Sequence, residues 1–475
     1  MSAPFVVVGG DAAGLSAASK CKREDPDRDV VVFEKGQWVS YAHCGEPYFV
    51  KGEVDTLADL LSLTPEDVAE RDIDLRRGHE VTGVDTDAQT VTVDGPDGTF
   101  EQPYGDLLVA TGGRAVTAPI EGADLGGTFP VHGLDDAAAI RAYLLDPDVD
   151  ALADVGGEAF VDRERVERYG AMTPPETAAI VGGGYVGVEM AEALADWGLD
   201  VHVFQRSAHV LGPFGEAVAE VVEDHLREQG VTLHLNEEVA RLRGDEEGRV
   251  ESLECYDGSE LDVGLAIVGV GIRPNTELLS GTGVELGESG AVAVDEYGRT
   301  NVEGVYAAGD CAEDTHTVSG EQAWVPLGLT ANRAGRAIGQ TVAGDPEPVG
   351  HIAGTAVVKT FEMECGRSGL LPEEASDAGF EPVSETIETR SRSGYYPGAA
   401  ETTVTLVADE GTGKLLGGTI AGTDRAAVRI DTVATALEAD MTVGELERTD
   451  LAYAPPFSPV WDPILVAAKV LNGRL

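Results

Sequence analysis

The chain has 475 residues, in which 85 Asp and Glu face 33 Lys and Arg, a formal net charge of −52. Acid spread this evenly, with only seven lysines, excludes nucleic acid and anionic membranes as partners and suits a protein adapted to a salty cytoplasm. Five irregularly spaced cysteines without a C-x-x-C, and no apolar run of ~18 residues, exclude a zinc site, a disulfide framework and a membrane span.

The length suits about three domains, and regular apolar periodicity rules out an acidic disordered chain. The first residues lack a basic stretch, and Asp11 interrupts their apolar run, so the reading is a cytoplasmic protein without a signal peptide. Residues 5 to 34 read as strand, Gly-rich turn, helix, strand. FVVVGGDAAG places Gly9 at the tight turn and Gly14 where helix and strand meet closely. The second strand, VVVFEK, ends in Glu34 and Lys35, where an acid grips a ribose hydroxyl in dinucleotide sites. Asp11 stands where the fingerprint usually carries Gly, so this copy is degenerate. The helix between the strands carries Lys20, Lys22 and Arg23, either a solvated face or a cradle for a phosphate-rich ligand.

Next comes VSYAHCGEPYFVKG, residues 39 to 52, a loop entering a helix with Cys44 at its centre. A thiol near a helix N-terminus feels the positive end of the dipole, which favours the reactive thiolate. Phe49 stands five residues on, so a Cys-x4-Cys dithiol pair cannot form. Cys44 is therefore either a buried core residue or a lone redox thiol. Residues 55 to 105 suggest a small helix and alternating strands leading into ATGGR, with Thr111 and Gly112. Residues 145 to 175, rich in Asp, Glu, Arg and Pro, read as a surface insertion.

From 178 the opening pattern returns as AAIVGGGYVGVEMAEALADWG, with Gly182, Gly184 and Gly187 in an intact G-x-G-x-x-G. Two such units imply two dinucleotides. The second unit ends in Gln205 and Arg206 rather than an acid, which favours the 2′-phosphate of NADPH over NADH unless Arg206 is merely solvated. LAIVGVGIRPNTELL supplies a further strand and a turn at Gly271. TNVEGVYAAGDCAE ends a strand in Gly309 and Asp310, suited to a ribityl hydroxyl. VPLGLTANRAGRAIGQTVAG reads as a long closing helix. Residues 350 to 475 carry no nucleotide motif, and their aromatic, Pro-rich tail suggests a subunit interface or plain core packing.

GGDAAG, SYAHCGEPY, ATGG, VGGGYVGVE, GIRPN, YAAGD, VPLGLTANRAGR, GTAVVKTF and YAPPFSPVWDP, in that order, resemble the single-cysteine branch of the pyridine nucleotide-disulfide oxidoreductases, and most closely its coenzyme A disulfide reductase members. The resemblance implies an α/β architecture of two Rossmann-like dinucleotide-binding domains and a C-terminal α+β dimerisation domain. Residues 1–150 and 271–345 would bind FAD, 176–270 NAD(P)H, and 346–475 would build a homodimer. It further implies Cys44 cycling through a mixed disulfide with coenzyme A, Tyr395 and Tyr453 reaching the partner's Cys44 site, and Lys20, Lys22 and Arg23 near the adenosine phosphates. His43 stands where Asn is common in the branch and suits the coenzyme A site or the tuning of the thiol. No rhodanese-like extension follows the tail, which points away from persulfide or polysulfide reduction.

The rivals are an NAD(P)H oxidase or peroxidase using a Cys44 sulfenic acid, and a flavoprotein redox sensor docking a partner through its tail. Peroxide-reducing relatives carry a His in the first Gly-rich turn, where this chain has Ala12.

Overall fold

The computed structural model describes residues 3–117, 120–156 and 160–475. Five short strands, β1 (Phe5–Val8), β2 (Val30–Glu34), β3 (Asp74–Arg77), β4 (Asp106–Val109) and β10 (Val305–Ala307), all but the charged edge strand β3 largely apolar, form the first parallel sheet in the order β10-β4-β1-β2-β3. Its central strand is buried along its whole length, as a sheet covered on both faces requires. Helix α1 (Ala12–Glu24) crosses from β1 to β2, and the long α6 (Gly328–Val342) lies on it through Ala13, Ala17, Ala334 and Ile338.

A second five-stranded parallel sheet repeats the plan, with β5 (Thr128–Phe129), β6 (Thr177–Val181), β7 (Asp200–Gln205), β8 (Thr232–Leu235) and β9 (Leu265–Val268) in the order β8-β7-β6-β9-β5. Helix α5 (Tyr185–Asp196) makes the corresponding crossover. The doubly wound architecture read from the two Gly-rich units is therefore present twice.

Two expectations about the chain's path are corrected. Strand β5 pairs with β9, Ala266 opposite Thr128, and Glu121 bridges to Arg241, so the chain enters the second unit by residue 121 rather than after 150. Antiparallel pairing of Gly113–Ala115 with Ile272–Pro274 holds the outgoing and returning connections side by side. The stretch 145–175 is not a surface insertion either: within it α4 (Arg163–Gly170) buries Val166 and Tyr169 beneath α3 (Leu134–Leu144). Tyr169 Oη accepts the Gly127 amide at 2.9 Å, tying this helix to the second sheet. Charged residues on the outer face of α4 disguise an apolar inner one.

The C-terminal unit is an antiparallel sheet of β11 (Ala356–Thr360), β12 (Met363–Gly369), β13 (Pro382–Arg390), β14 (Glu401–Asp409) and β15 (Leu415–Gly422), in the order β11-β12-β15-β14-β13. Helices α7 (Ala426–Glu438) and α8 (Pro463–Asn472) lie against it. The tail splits between its two readings. Helix α8 buries Ile464, Leu465, Ala467, Ala468 and Leu471, whereas Tyr453, Phe457, Val460 and Trp461 are exposed.

Candidate active site

Each nucleotide-binding unit begins with a turn that only glycine fits. Gly9 has φ +110°, and a Cβ there would lie 2.1 Å from the Ala110 carbonyl oxygen; Gly182 has φ +108° and meets Gly269 O at 2.3 Å. At Gly14 and Gly187 a Cβ would strike Gly9 O and Gly182 O, so helix and strand can approach only without side chains. Around Gly184 and Gly112 the space is open, as a cradle for a pyrophosphate or ring needs. Glu34 and Gln205 perform one task in the two units: Glu34 Oε2 accepts the Gly10 amide at 2.8 Å, and Gln205 Oε1 accepts the Gly183 amide at 3.0 Å. Both stand ready at the edge of the turn. Lys35 is exposed beyond Glu34, and Arg206 is exposed and makes no ion pair among the described residues. Thr111 Oγ1 donates to Asn275 O at 2.6 Å, which binds the ATGG turn to the end of the strand Ile272–Pro274 that follows the turn at Gly271. Gly309 has φ +80° and turns the chain so that Asp310 lies at the end of β10; burial pushes its carboxyl up.

The redox stretch folds as a single 3₁₀ turn, His43–Gly45, running into the six-residue helix α2 (Glu46–Lys51), with Pro47 in its first turn. Cys44 is exposed, while Cys21, Cys255, Cys311 and Cys365 are buried. Phe49 is wholly buried, with the Arg141 guanidinium over its ring at 4.7 Å, so the place of a second thiol is core.

The expected low thiol pKa is not found. Protein packed around the sulfur raises it, and the charges of Glu189, Glu46 and Asp310 add to that, outweighing a backbone hydrogen bond. A helix of six residues has little dipole to set against three carboxyls. The sequence shows the helix start, but not that α5 brings Glu189 to the thiol from 145 residues away.

Asp11, read as a flaw in the fingerprint, has a task in this fold. Its Oδ1 accepts the Tyr41 amide at 3.1 Å and its Oδ2 meets His43 Nε2 at 2.5 Å, tying the redox turn to the first Gly-rich turn. Burial works against a charged His43, but its hydrogen bond to Asp11 and the charge of that carboxylate prevail and raise its pKa. His43 thus lies beside the thiol, among acids.

Three further contacts join α2 to α5. Tyr48 Oη donates to Glu189 Oε1 at 2.9 Å. Lys51 Nζ meets the buried Glu192 Oε1 at 2.6 Å, and Trp197 Nε1 donates to Val50 O at 2.8 Å. Glu192 also takes Lys359 Nζ at 2.7 Å and the Phe361 amide at 2.7 Å, both from the C-terminal unit. One buried carboxylate therefore holds all three units together. These contacts span more than 100 residues and leave no local pattern by which they could be found.

The basic triplet behaves differently from its expected role. Lys22 is buried and bonds to Asp72 at 2.7 Å and to the carbonyls of Pro26 and Arg28, while Lys20 pairs with Glu24 at 2.5 Å. Both ammonium groups are spent on the protein itself, and only Arg23 stays exposed to meet an anion. Tyr395 and Tyr453 lie on the C-terminal unit with relative exposures of 78% and 48%, open to a second molecule. Among the described residues no group of three or more His, Cys, Asp or Glu could hold a metal ion, and no helix is long and apolar enough to cross a membrane.

Known proteins share this fold. The chain is 39% identical over 474 residues to the NAD(P)H coenzyme A polysulfide/persulfide reductase of Pyrococcus horikoshii, covering 99% of each chain. It is 29% identical to the coenzyme A disulfide reductase of Staphylococcus haemolyticus, over 96% of each. The solved structure of an NAD-dependent persulfide reductase from A. fulgidus superposes with a TM-score of 0.90 at 32% identity, covering 99% of this chain and 83% of that one. The Pyrococcus horikoshii relative is matched over 99% of its own length, so a persulfide reductase name does not require a rhodanese-like extension. The pyridine nucleotide-disulphide oxidoreductase model matches residues 3–335 and the dimerisation model of the same family residues 355–463, and the chain belongs to that family.

Proposed function

We propose that this chain is an FAD- and NAD(P)H-dependent reductase of sulfur–sulfur bonds carried on coenzyme A, the disulfide and the persulfide alike, working through Cys44. The observation that carries this reading is the solitary exposed thiol, with Phe49 buried where a resolving thiol would stand. A disulfide formed at Cys44 must then be made with a small molecule. Attack of the Cys44 thiolate on coenzyme A disulfide breaks its S–S bond, forms Cys44–S–S–CoA and frees one coenzyme A thiolate, which takes up a proton. Reduction of the mixed disulfide by two electrons and a proton frees the second. FAD, when bound, would supply the two-electron transfer from the nicotinamide to the Cys44 mixed disulfide. In this reading Gly9, Gly14, Glu34, Lys35, Thr111, Gly112, Gly309 and Asp310 hold FAD, and Gly182, Gly184, Gly187, Gln205, Arg206 and Gly271 hold the nicotinamide dinucleotide. The exposed Tyr395 and Tyr453 fit a homodimer in which they reach the partner's thiol and donate a proton to the leaving group. Arg23 and His43 remain for coenzyme A, now without Lys20 and Lys22.

Anaerobic stopped-flow tests the reading. Enzyme reduced by NADPH is expected to be reoxidised rapidly by coenzyme A disulfide or coenzyme A persulfide, and slowly by peroxide or air. Reoxidation by peroxide or air as fast as by the coenzyme A substrates would hand the site to the oxidase or peroxidase rival.

Arg206 sets the nicotinamide preference in this reading. Arg206→Glu is expected to raise KM for NADPH and improve the use of NADH. A charge-assisted contact of about 1.5–3 kcal/mol corresponds to roughly ten- to a hundredfold in the NADPH-to-NADH ratio. Steady-state kinetics with both nucleotides checks it, and an unchanged ratio would mean a solvated Arg206.

A further inference from the structure

The pocket behind Cys44 holds more acid than it can ionise. Glu46, two residues on, is 2% exposed, and its Oε1 has no hydrogen-bond partner among the described residues. His43 Nδ1 stands 3.6 Å from that oxygen, while the other ring nitrogen is taken by Asp11. Asp136 faces Glu46 from α3 and is itself paired with Arg165 of α4 at 2.7 Å. Glu189 from α5 and Asp310 from the end of β10 face the thiol. Against Glu46, Asp11, Asp136, Asp310 and Glu189, the cations and imidazoles facing this site are His43, His132, Arg165 and Lys359, of which Arg165 is spent on Asp136 and Lys359 on Glu192. Several carboxyls sharing one desolvated site cannot all lose their protons. The deepest of them, with an oxygen that nothing solvates, is the one that keeps its own.

We propose that Glu46 is a positioning residue that holds its proton through turnover, so that Cys44 can become a thiolate without a second new anion at its back. This rests on the reading of Cys44 as the reactive thiol. Burial is the main cause that pushes the Glu46 carboxyl up to about 8; the His43 charge opposes it and Asp136 adds to it. The sign follows. Below that pH Glu46 is neutral and leaves the thiolate alone; above it the carboxylate repels the thiolate and holds Cys44 back just as alkali should activate it.

The test is the rate at which iodoacetamide alkylates Cys44 in the FAD-loaded protein between pH 6 and 10, followed by mass spectrometry. Only Cys44 is exposed, so the label reports that thiol. With Glu46→Gln, the ratio of variant to wild-type rate is expected to rise about three- to tenfold from pH 6.5 to pH 9, the effect of up to about one unit in the thiol's pKa. Glu46→Met, neutral and without the amide's hydrogen bonds, gives the same rise and serves if the amide variant loses its flavin. A ratio that stays flat across pH would overturn the inference, because a merely structural role slows or spares the thiol equally at every pH. A wild-type Cys44 that resists alkylation throughout would overturn the proposed function as well, so the two failures are told apart.

Discussion

Cys44→Ser is expected to abolish turnover of coenzyme A disulfide while leaving the flavin bound and reducible by NADPH. No other thiol can stand in for it. Burial pushes Cys21 and Cys255 up to about 11 and Cys365 up to about 12, each the dominant cause, and Cys311 is buried with its Sγ donating to the Val109 and Ala308 carbonyls at 3.3 Å. A thiol of pKa about 11 is thiolate at pH 7 in only about one molecule in ten thousand. Protein isolated without reductant should therefore carry one adduct per subunit, on Cys44, with the mass of coenzyme A, released by dithiothreitol and absent from the Ser variant. Intact-mass spectrometry decides. A sulfenic or sulfinic increment on Cys44 with no coenzyme A would overturn the reading in favour of peroxide or oxygen chemistry.

The second large effect concerns salt. In dilute buffer the activity and thermal midpoint are expected to collapse, and molar KCl or NaCl to restore them. With 33 cationic side chains for 85 acidic ones, most carboxylates have no partner to neutralise them. Their mutual repulsion extends about 30 Å at 0.01 M salt and about 3 Å at 1 M, where it no longer spans neighbouring elements. A dimer of such chains would bring two such fields together and would come apart first. Buried pairs such as Glu192 with Lys51, and Arg429 with Asp462 at 3.0 Å, are screened much less than the surface charges. Thermal unfolding from 0.01 to 3 M KCl should show a midpoint rising by several degrees at least, with oligomeric state following by light scattering. A midpoint independent of salt would rule the expectation out.

Much of the fold was legible because its signals are local. The turns at Gly9 and Gly182, the strand ends at Glu34 and Asp310 and the long helix after Pro326 are all patterns within about twenty residues, set by steric limits on the backbone. What the sequence hid was contact at a distance. Three cations in four residues suggested an anion site, but Lys22 turns inward to Asp72, fifty residues on. A thiol at a helix start suggested a low pKa, but protein packed around the sulfur raises it, helped by carboxyls from α5, α2 and the end of β10. Asp11 seemed a degenerate Gly because its partners, Tyr41 and His43, lie beyond helix α1 and strand β2. The acidic run from 145 to 175 masked its buried face, since charge counts say nothing of which side of a helix faces the core.

The junction at Glu192 limits how this protein can be recombined with its relatives. Its three partners, Lys51, Lys359 and the Phe361 amide, arrive from two other units, so a chimera that exchanges the C-terminal unit inherits or loses Lys359 with it. Stranding a buried carboxylate costs about 3–5 kcal/mol, enough to unfold an otherwise sound hybrid. Crossover points that keep residues 51, 192 and 359–361 from one parent should yield folded hybrids, and those that divide them should not. The modules look interchangeable along the chain, yet in inheritance they travel as one piece.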